Sequence, residues 1–373
     1  MNSICLNMIV KNEAHVIRRA LDSVRPLITT WCILDTGSTD GTQEIIREHL
    51  KDLPGTLHES PWKGFGASRS EAIELAQGQA DYLLFIDADD ELQLPKGFKL
   101  PVLKADVYYI THQLMETSFL RLDLAATRCP WHYVGVLHEH LASDQHRPAV
   151  HLEGPVVIER REGARSQDPR KYERDAELLE QGLIEEPDNA RYVFYLAQSW
   201  KDAGQPERAI EAYRRRIAMG GWEEEVYVSQ LRVAHLLEGL GRPEAEVVQA
   251  FLEAYQGRPQ RLESLVGLAA YYRKREKYHL ALIFAERGLK VPKSADLLFV
   301  GDDCHRWRCL DEFAVAASWT GRHREALQAC DRLLTEGFLP LSEVKRVRAN
   351  RDHEAKCIPG APPLRLEKMP RPR

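Results

Sequence analysis

Residues 82–90, YLLFIDADD, join a run of five apolar residues to a cluster of carboxylates. A short apolar run of this kind predicts a buried strand. Because alternate side chains of an extended chain point the same way, Asp87 and Asp89 are expected to project toward one point. Carboxylate oxygens suit Mn²⁺ or Mg²⁺, and such a cation neutralises a diphosphate. We therefore expect a divalent metal site here, with a solvated acidic loop as the alternative.

Similar apolar runs at residues 4–10, 31–34 and 107–110 predict further strands, and helical spacing of apolar residues lies between them. This alternation of strand and helix predicts an α/β domain of Rossmann-like type, with a mostly parallel sheet, over residues 1–165. Such sheets bind ligands beyond the carboxyl ends of their strands. The acidic cluster falls at such an end, whereas we interpret His112 and Gln113 as polar surface at the end of a strand.

A second polar motif, DTGSTDGT at residues 35–42, follows the predicted strand 31–34. Asp35 could accept a hydrogen bond from a nucleobase, and the small residues after it leave room for a ligand. Taken alone, the motif is equally a turn with Thr39 or Asp40 as a helix cap. The strand with the acidic cluster that follows it favours the nucleotide-binding interpretation.

The pattern changes near residue 172, where strand signals give way to helical periodicity. Small residues recur at the same position of successive helix pairs, namely Ala197, Ala234, Ala269 and Ala314. This spacing resembles the tetratricopeptide repeat, in which small residues let two helices approach closely. The sequence therefore predicts an all-α repeat domain over residues 172–355, with an irregular helical domain as the alternative. Proline and basic residues predict a disordered tail over residues 359–373.

Bulk composition limits the function classes. The net charge of −5 over 373 residues gives no overall basic field, so nucleic-acid binding is disfavoured without being excluded. The seven cysteines are odd in number and include no CxxC pair, which favours a reducing compartment. No signal peptide or membrane-spanning stretch is recognisable. We expect a cytoplasmic protein, and a homo-oligomer is compatible with the sequence.

Three motifs in order, NMIVKNE at residues 7–13, LDTGSTDGT at 34–42 and DADD at 87–90, resemble family 2 glycosyltransferases of the GT-A fold. The resemblance covers roughly residues 1–160. Together with helical repeats it is similar to the sublancin-type peptide S-glycosyltransferases. This resemblance implies a UDP-sugar donor, with Asp35 on the uracil, Asp87 at the ribose and Asp89 at the metal and diphosphate. The implied nucleotide-sugar-binding residues are Val10, Glu13, Asp35, Arg69, Asp87, Ala88 and Trp131.

The stretch WHYVGVLHEH at residues 131–140 lies where related enzymes carry Trp, Gly and His-Glu. A transferase that inverts the sugar needs a base to take the acceptor proton, and Glu139 is our candidate; Asp144 and Glu153 rank lower. His138 is a candidate metal or phosphate ligand, with a core or solvated histidine as the alternative. Trp131 would stack on the sugar or pack in the core.

These observations predict an inverting glycosyltransferase that moves a sugar from a UDP-sugar to a peptide, protein or other acceptor with the help of Mn²⁺ or Mg²⁺. The helical repeats would hold the acceptor in part. One alternative is a repeat scaffold with an inactive transferase domain. Another is the same enzyme class acting on a lipid-linked glycan or on modified DNA.

Overall fold

The computed structural model describes residues 2–115, 117–145, 148–358 and 360. The predicted disordered tail, apart from Gly360, lies outside the described residues. The chain forms two compact units, residues 1–209 and 210–373. Among the residues that the structure describes, none of the helices combines the length and the apolar character needed to cross a membrane.

The strands all lie in the first unit: β1 (Ile4–Val10), β2 (Thr30–Asp35), β3 (Gly55–Glu59), β4 (Tyr82–Phe85), β5 (Glu91–Gln93), β6 (Val107–Leu114), β7 (Thr117–Ala126), β8 (His132–Val134), β9 (His140–Ala142) and β10 (Val150–Ile158). The helices are α1 (Ile17–Val24), α2 (Thr42–His49), α3 (Phe65–Leu75), α4 (Lys171–Glu185), α5 (Ala190–Asp202), α6 (Pro206–Met219), α7 (Glu223–Gly239), α8 (Glu244–Gly257), α9 (Glu263–Arg273), α10 (Tyr278–Gly288), α11 (Cys309–Trp319), α12 (His323–Thr335) and α13 (Leu341–Cys357).

Eight of these strands form one sheet in the order β3-β2-β1-β4-β7-β6-β10-β5. Strand β1 lies parallel to both β2 and β4, which brings the carboxyl ends of the three strands to one edge. Strand β7 runs antiparallel to β4 and β6. The predicted Rossmann-like, mostly parallel sheet is confirmed, although the sequence did not reveal β3, β5, β7 or β10.

Strand β1 is buried on both faces because helices cover the sheet on both sides. Its residues Ile4, Leu6, Met8 and Val10 pack with apolar residues of α1. Cys5 faces the other way and packs in a second cluster with Ile73 of α3. An apolar run buried on both faces is what a central parallel strand requires. Because β2 and β4 pair with β1, the packing of β1 also sets where the motifs that follow these strands begin.

The predicted helical repeats are confirmed by the run of helices from α4 onward. The recurring small residues are buried, as close helix packing requires: Ala234 and Ala269 are fully inaccessible to solvent. The sequence predicts a domain boundary between residues 165 and 172. The compact units divide at residue 209, so that α4 and α5 belong to the same unit as the sheet.

We predict that Gly267→Ala destabilises the second unit, although alanine is the better helix former. A methyl group on Gly267 of α9 would lie 2.4 Å from a ring carbon of the buried Phe251. Overpacking of this kind typically costs about 1–3 kcal/mol, more than the roughly 1 kcal/mol that alanine gains in helix propensity. Chemical denaturation of the full chain measures the difference.

Gly239→Ala at the end of α7 is the matched control, because its added methyl group would meet no atom within 4 Å. We expect this variant to be as stable as the wild type or more stable. Equal stability of the two alanine variants would contradict the close packing of α9.

Candidate functional site

The loops that follow β1 and β2 bind each other through side-chain hydrogen bonds. Asn12 has a left-handed backbone with φ +57°, its N–H donates to Ser38 Oγ at 2.8 Å, and its Oδ1 accepts from Thr39 N–H at 2.8 Å. Thr42 Oγ1 accepts from Glu13 N–H at 2.8 Å. The two predicted nucleotide-binding motifs therefore form one structural unit.

Helix α2 begins within this unit. Gly41, with φ +92°, is its cap residue. The cap therefore lies one residue after Asp40 and two after Thr39, the two predicted cap residues. Asp40 still contributes, because its Oδ1 accepts from Thr42 N–H at 3.1 Å.

Asp35 lies at the end of β2 and is fully buried. Its Oδ1 accepts from the backbone N–H groups of Gly37 at 2.9 Å and Ser38 at 2.8 Å, which fixes the orientation of the carboxylate. Within the described part of the chain, the other oxygen, Oδ2, is buried and has no hydrogen-bond partner. An unpaired buried acceptor costs about 1–3 kcal/mol, and a hydrogen bond to Oδ2 would remove that cost.

Arg69 of α3 links the acidic cluster to the candidate base. Its Nη2 binds Asp87 Oδ1, and its Nε donates to Glu139 Oε1 at 2.6 Å. Burial disfavours the charged forms, but Arg69 and Arg121 hold the pKa of Asp87 well below its ordinary value. Asp87 and Glu139 in turn hold the pKa of Arg69 above its ordinary value. The predicted residues Arg69, Asp87 and Glu139 therefore form one charged group.

A buried polar chain extends this group through residues that the sequence analysis missed. Arg121 Nη1 binds Asp87 Oδ2 at 3.2 Å, and its Nε binds Asp123 Oδ1 at 2.7 Å. Asp123 Oδ2 lies 2.5 Å from His112 Nε2, and His112 Nδ1 lies 3.1 Å from Glu159 Oε1. The interpretation of His112 as polar surface is therefore wrong, since its side chain is completely buried between two carboxylates.

The charge on this buried histidine depends on its neighbours. Burial and Arg121 both lower the pKa of His112, but Asp123 and Glu159 more than offset them, so that the pKa lies above its ordinary value. A signal for the chain was present in the sequence. Residues 119–124, FLRLDL, alternate polar and apolar side chains, which places Arg121 and Asp123 on one face of β7.

Asp89 and Glu13 are both held by the backbone of a segment after β10. Asp89 Oδ2 accepts from Gly163 N–H at 2.9 Å, and both carboxylate oxygens of Glu13 accept from Ala164 N–H at 3.2 Å. A methyl group on Gly163 would come within 3.2 Å of both carboxylates. Burial and the nearby charge of Asp89 raise the pKa of Glu13 to about 7, although the bond from Ala164 opposes the shift.

Asp90, the third acid of the cluster, faces inward and is nearly inaccessible to solvent. Burial and the neighbouring charge of Asp87 raise its pKa to about 8. Asp90 therefore differs from Asp87, which is charged and paired, and from Asp89, which is only partly buried.

A metal at this site would be shared with substrate phosphates. Across the described residues, no cluster of three or more His, Cys, Asp or Glu side chains has the arrangement to hold a metal ion. Mg²⁺ is commonly bound by one or two carboxylates together with phosphate oxygens and water. Asp89 fits that role because its Oδ1 is not the atom that binds Gly163, whereas both oxygens of Asp87 are paired with arginine.

His138 and Glu139 lie in the loop that joins β8 to β9, so strand alternation does not separate them. The His138 ring stacks on Tyr195 of α5, with centroids 3.8 Å apart. Removal of water from the ring by its neighbours, followed by the positive charges of Arg191 and Arg165, lowers the pKa of His138 below its ordinary value. Surrounding cations disfavour a bound metal at His138 and suit an anionic group.

Three other predicted residues lie in the core. Trp131 is 5% exposed, and its indole N–H donates to the carbonyl of Ala126 at 2.8 Å. The structure thus places it in packing contacts, the alternative that the sequence had left open. Val10 and Ala88 are also buried.

Comparison with known proteins agrees with the two parts of the fold. Residues 5–96 match the family model described as Glycosyl transferase family 2. A TPR repeat-containing protein of Synechococcus elongatus is 28% identical over 307 residues, which cover 75% of this chain and 73% of the relative. The SPbeta prophage-derived glycosyltransferase SunS of Bacillus subtilis is 24% identical over 246 residues, covering 58% of this chain and 53% of SunS.

An uncharacterized glycosyltransferase of Rickettsia felis is 36% identical over 92 residues, covering 25% of this chain and 30% of the relative. The chain thus spans about half the length of SunS and less than a third of the Rickettsia protein. Residues 5–96 are thus similar to glycosyltransferases of family 2, and a run of helices follows the sheet.

We predict that Glu13 makes the protein less stable as the pH rises toward 8. Its pKa of about 7 in the folded state exceeds the ordinary value of 4.5. The folded state therefore binds the proton more tightly, and the stability this gives is complete below pH 4.5 and is lost as the pH rises through 7. Relative to Glu13→Gln, the wild type should lose thermal stability between pH 5 and pH 8.

Thermal unfolding of both proteins over this range gives the measurement. Glu74→Gln, on the exposed face of α3, controls for the loss of one carboxylate. Parallel pH profiles of the wild type and Glu13→Gln would contradict the buried environment of Glu13.

Proposed function

We propose that this chain is an inverting glycosyltransferase that uses a UDP-sugar donor and a divalent cation. The observation that supports this most is the free buried oxygen of Asp35, Oδ2, at the same sheet edge as the acidic cluster. It is an acceptor suited to the imide N–H of uracil. Asp35 ends β2 and the acidic cluster follows β4, and both strands pair with β1. Sheets of this type bind ligands beyond such strand ends, which supports one site formed by the two motifs.

In this proposal each residue of the charged group has one task. Asp89 would hold a divalent cation together with the diphosphate, and such a cation would supply positive charge for the leaving UDP. Arg69 orients Asp87 and Glu139 toward the same volume. Glu139 takes the acceptor proton on Oε2 while the acceptor atom bonds to the anomeric carbon and the bond from that carbon to the diphosphate oxygen breaks.

The proposed acceptor is a peptide or protein, held partly by the helical repeats. Repeat helices of this class commonly form extended binding surfaces. A lipid-linked glycan or modified DNA remains an alternative acceptor for the same enzyme class. The scaffold alternative, with an inactive transferase domain, predicts that the site binds no nucleotide.

Replacement of Asp35 tests the nucleobase contact. Asp35→Asn keeps an oxygen for Gly37 and Ser38 but replaces Oδ2 with an N–H donor, which faces the uracil N–H. Loss of a hydrogen bond to a charged group costs about 1.5–3 kcal/mol, so UDP affinity should fall about 10- to 100-fold by calorimetry. Affinity for pyrophosphate with Mn²⁺ should not change. An equal loss for both ligands would contradict base recognition by Asp35.

Activity tests the proposal as a whole. Wild-type protein with Mn²⁺ should hydrolyse or transfer from at least one member of a UDP-sugar panel, measured as released UDP. Asp89→Asn retains the bond from Gly163 but lacks the charge that holds the cation, so its turnover should fall by at least about 100-fold. A wild-type chain that neither binds a UDP-sugar nor gains thermal stability from UDP and Mn²⁺ would support the scaffold alternative.

A further inference from the structure

The loop between β8 and β9, residues 135–139, has a backbone that needs support from outside. His138 adopts φ +50° and Gly135 adopts φ +119°. A non-glycine residue in this left-handed region is uncommon and persists when its surroundings fix it. Glu139 follows His138 directly, so whatever fixes His138 also sets the direction of the proposed base.

Helix α3 supports one side of this loop. The site for a Cβ on Gly66 lies 2.6 Å from the carbonyl oxygen of Gly135, so the helix and the loop approach closely. Arg69 binds the Glu139 carboxylate, and Ser70 Oγ accepts from Tyr133 N–H at 2.9 Å. These contacts hold the Glu139 side chain and the start of the loop, but they leave the His138 backbone to other partners.

Helix α5 supports the His138 backbone. Arg191 donates from Nε at 3.2 Å and from Nη2 at 2.9 Å to the carbonyl oxygen of His138. The Arg191 guanidinium also lies 4.9 Å from the centre of the Tyr195 ring, on which the His138 ring stacks. Two hydrogen bonds from one guanidinium to the same carbonyl oxygen fix the orientation of the carbonyl as well as adding energy.

The same helix holds the loop at a second point. Tyr192 Oη accepts from Val136 N–H at 3.2 Å, and its ring contacts Gly182 of α4, where a Cβ would come within 3.1 Å of Val136. The loop that carries Glu139 is therefore fixed at both ends of its tight turn by the first helix pair after the sheet.

We propose that helix α5 belongs to the active site, with Arg191 and Tyr192 as positioning residues that aim Glu139 at the acceptor; this rests on the proposed function. The first repeat helices then complete the catalytic loop in addition to any role in acceptor binding. Positioning of this kind affects the chemical step and leaves binding of the nucleotide to the loops after β1 and β2 unchanged.

The test compares Arg191→Gln and Tyr192→Phe with the wild type in the full chain. Misplacement of a catalytic group by about 1 Å can cost about 100-fold in rate, so kcat should fall about 10- to 100-fold while Kd for UDP stays the same. Arg208→Gln is the matched control, since Arg208 also stacks on an aromatic ring, that of Trp200, and pairs with Glu180, away from the loop.

Amide hydrogen exchange over residues 133–142 gives a readout that does not need activity. Exchange at Val136 should speed up in Tyr192→Phe, and exchange over the loop should speed up in Arg191→Gln, with no change in Arg208→Gln. Unchanged exchange and unchanged kcat in both variants would overturn the proposal. A loss of UDP affinity as large as the loss of kcat would also overturn it. An inactive wild type whose exchange still responds would contradict the proposed function while supporting α5 as the support of the loop.

Discussion

The ion pairs of Arg69 with Asp87 and Glu139 hold together parts of the site that come from distant places in the chain. Asp87 lies two residues beyond the end of the central strand β4, whereas Glu139 lies in the loop between β8 and β9. Partial burial of these charges is tolerable because they are paired. Removal of one partner costs about 3–5 kcal/mol in a fully buried pair and less here, where Asp87 is 31% exposed. Arg69 therefore fixes the distance between the acidic cluster at the sheet edge and Glu139, the proposed base.

The need to pair charges also explains the chain of polar side chains that continues from Asp87. Arg121 pairs with the second oxygen of Asp87 and also with Asp123, and Asp123 in turn contacts the buried His112. A fully satisfied buried network rigidifies the residues that it contains. Asp87 is thus held from the α3 side and from the β7 side, while Asp89 is left to bind a ligand. Electrostatic preorganisation of this kind is a general source of catalytic power.

The sequence predicted the central elements well because their apolar runs are unambiguous. Strand β1 begins and ends where the apolar run at residues 4–10 does, and Asp35 and Asp87 lie at the sheet edge that strand order implied. Strand β7 was missed because its polar members, Arg121 and Asp123, form ion pairs within the fold, and such pairing depends on partners elsewhere along the chain. A prediction from the spacing of apolar and polar residues assigns such polar residues to the solvent-facing side of a strand.

The role of α5 was hidden for a different reason. Arg191 binds a backbone carbonyl of residue 138, and no pattern of side chains records a bond to a distant main-chain atom. Trp131 shows the converse. Its place in the motif at residues 131–140 suggested a ligand contact, but its ring packs in the core. The order of motifs therefore predicted which residues meet at the sheet edge, whereas the support of the loop that carries Glu139 required the three-dimensional structure.

The most direct test of the central claim is a crystal structure of the full chain with UDP and MnCl₂. We predict that the uracil N–H binds Asp35 Oδ2 and that the diphosphate lies beside Asp89, with Arg69 still joined to Glu139. A nucleotide bound elsewhere, with Asp35 Oδ2 still without a partner, would contradict the account.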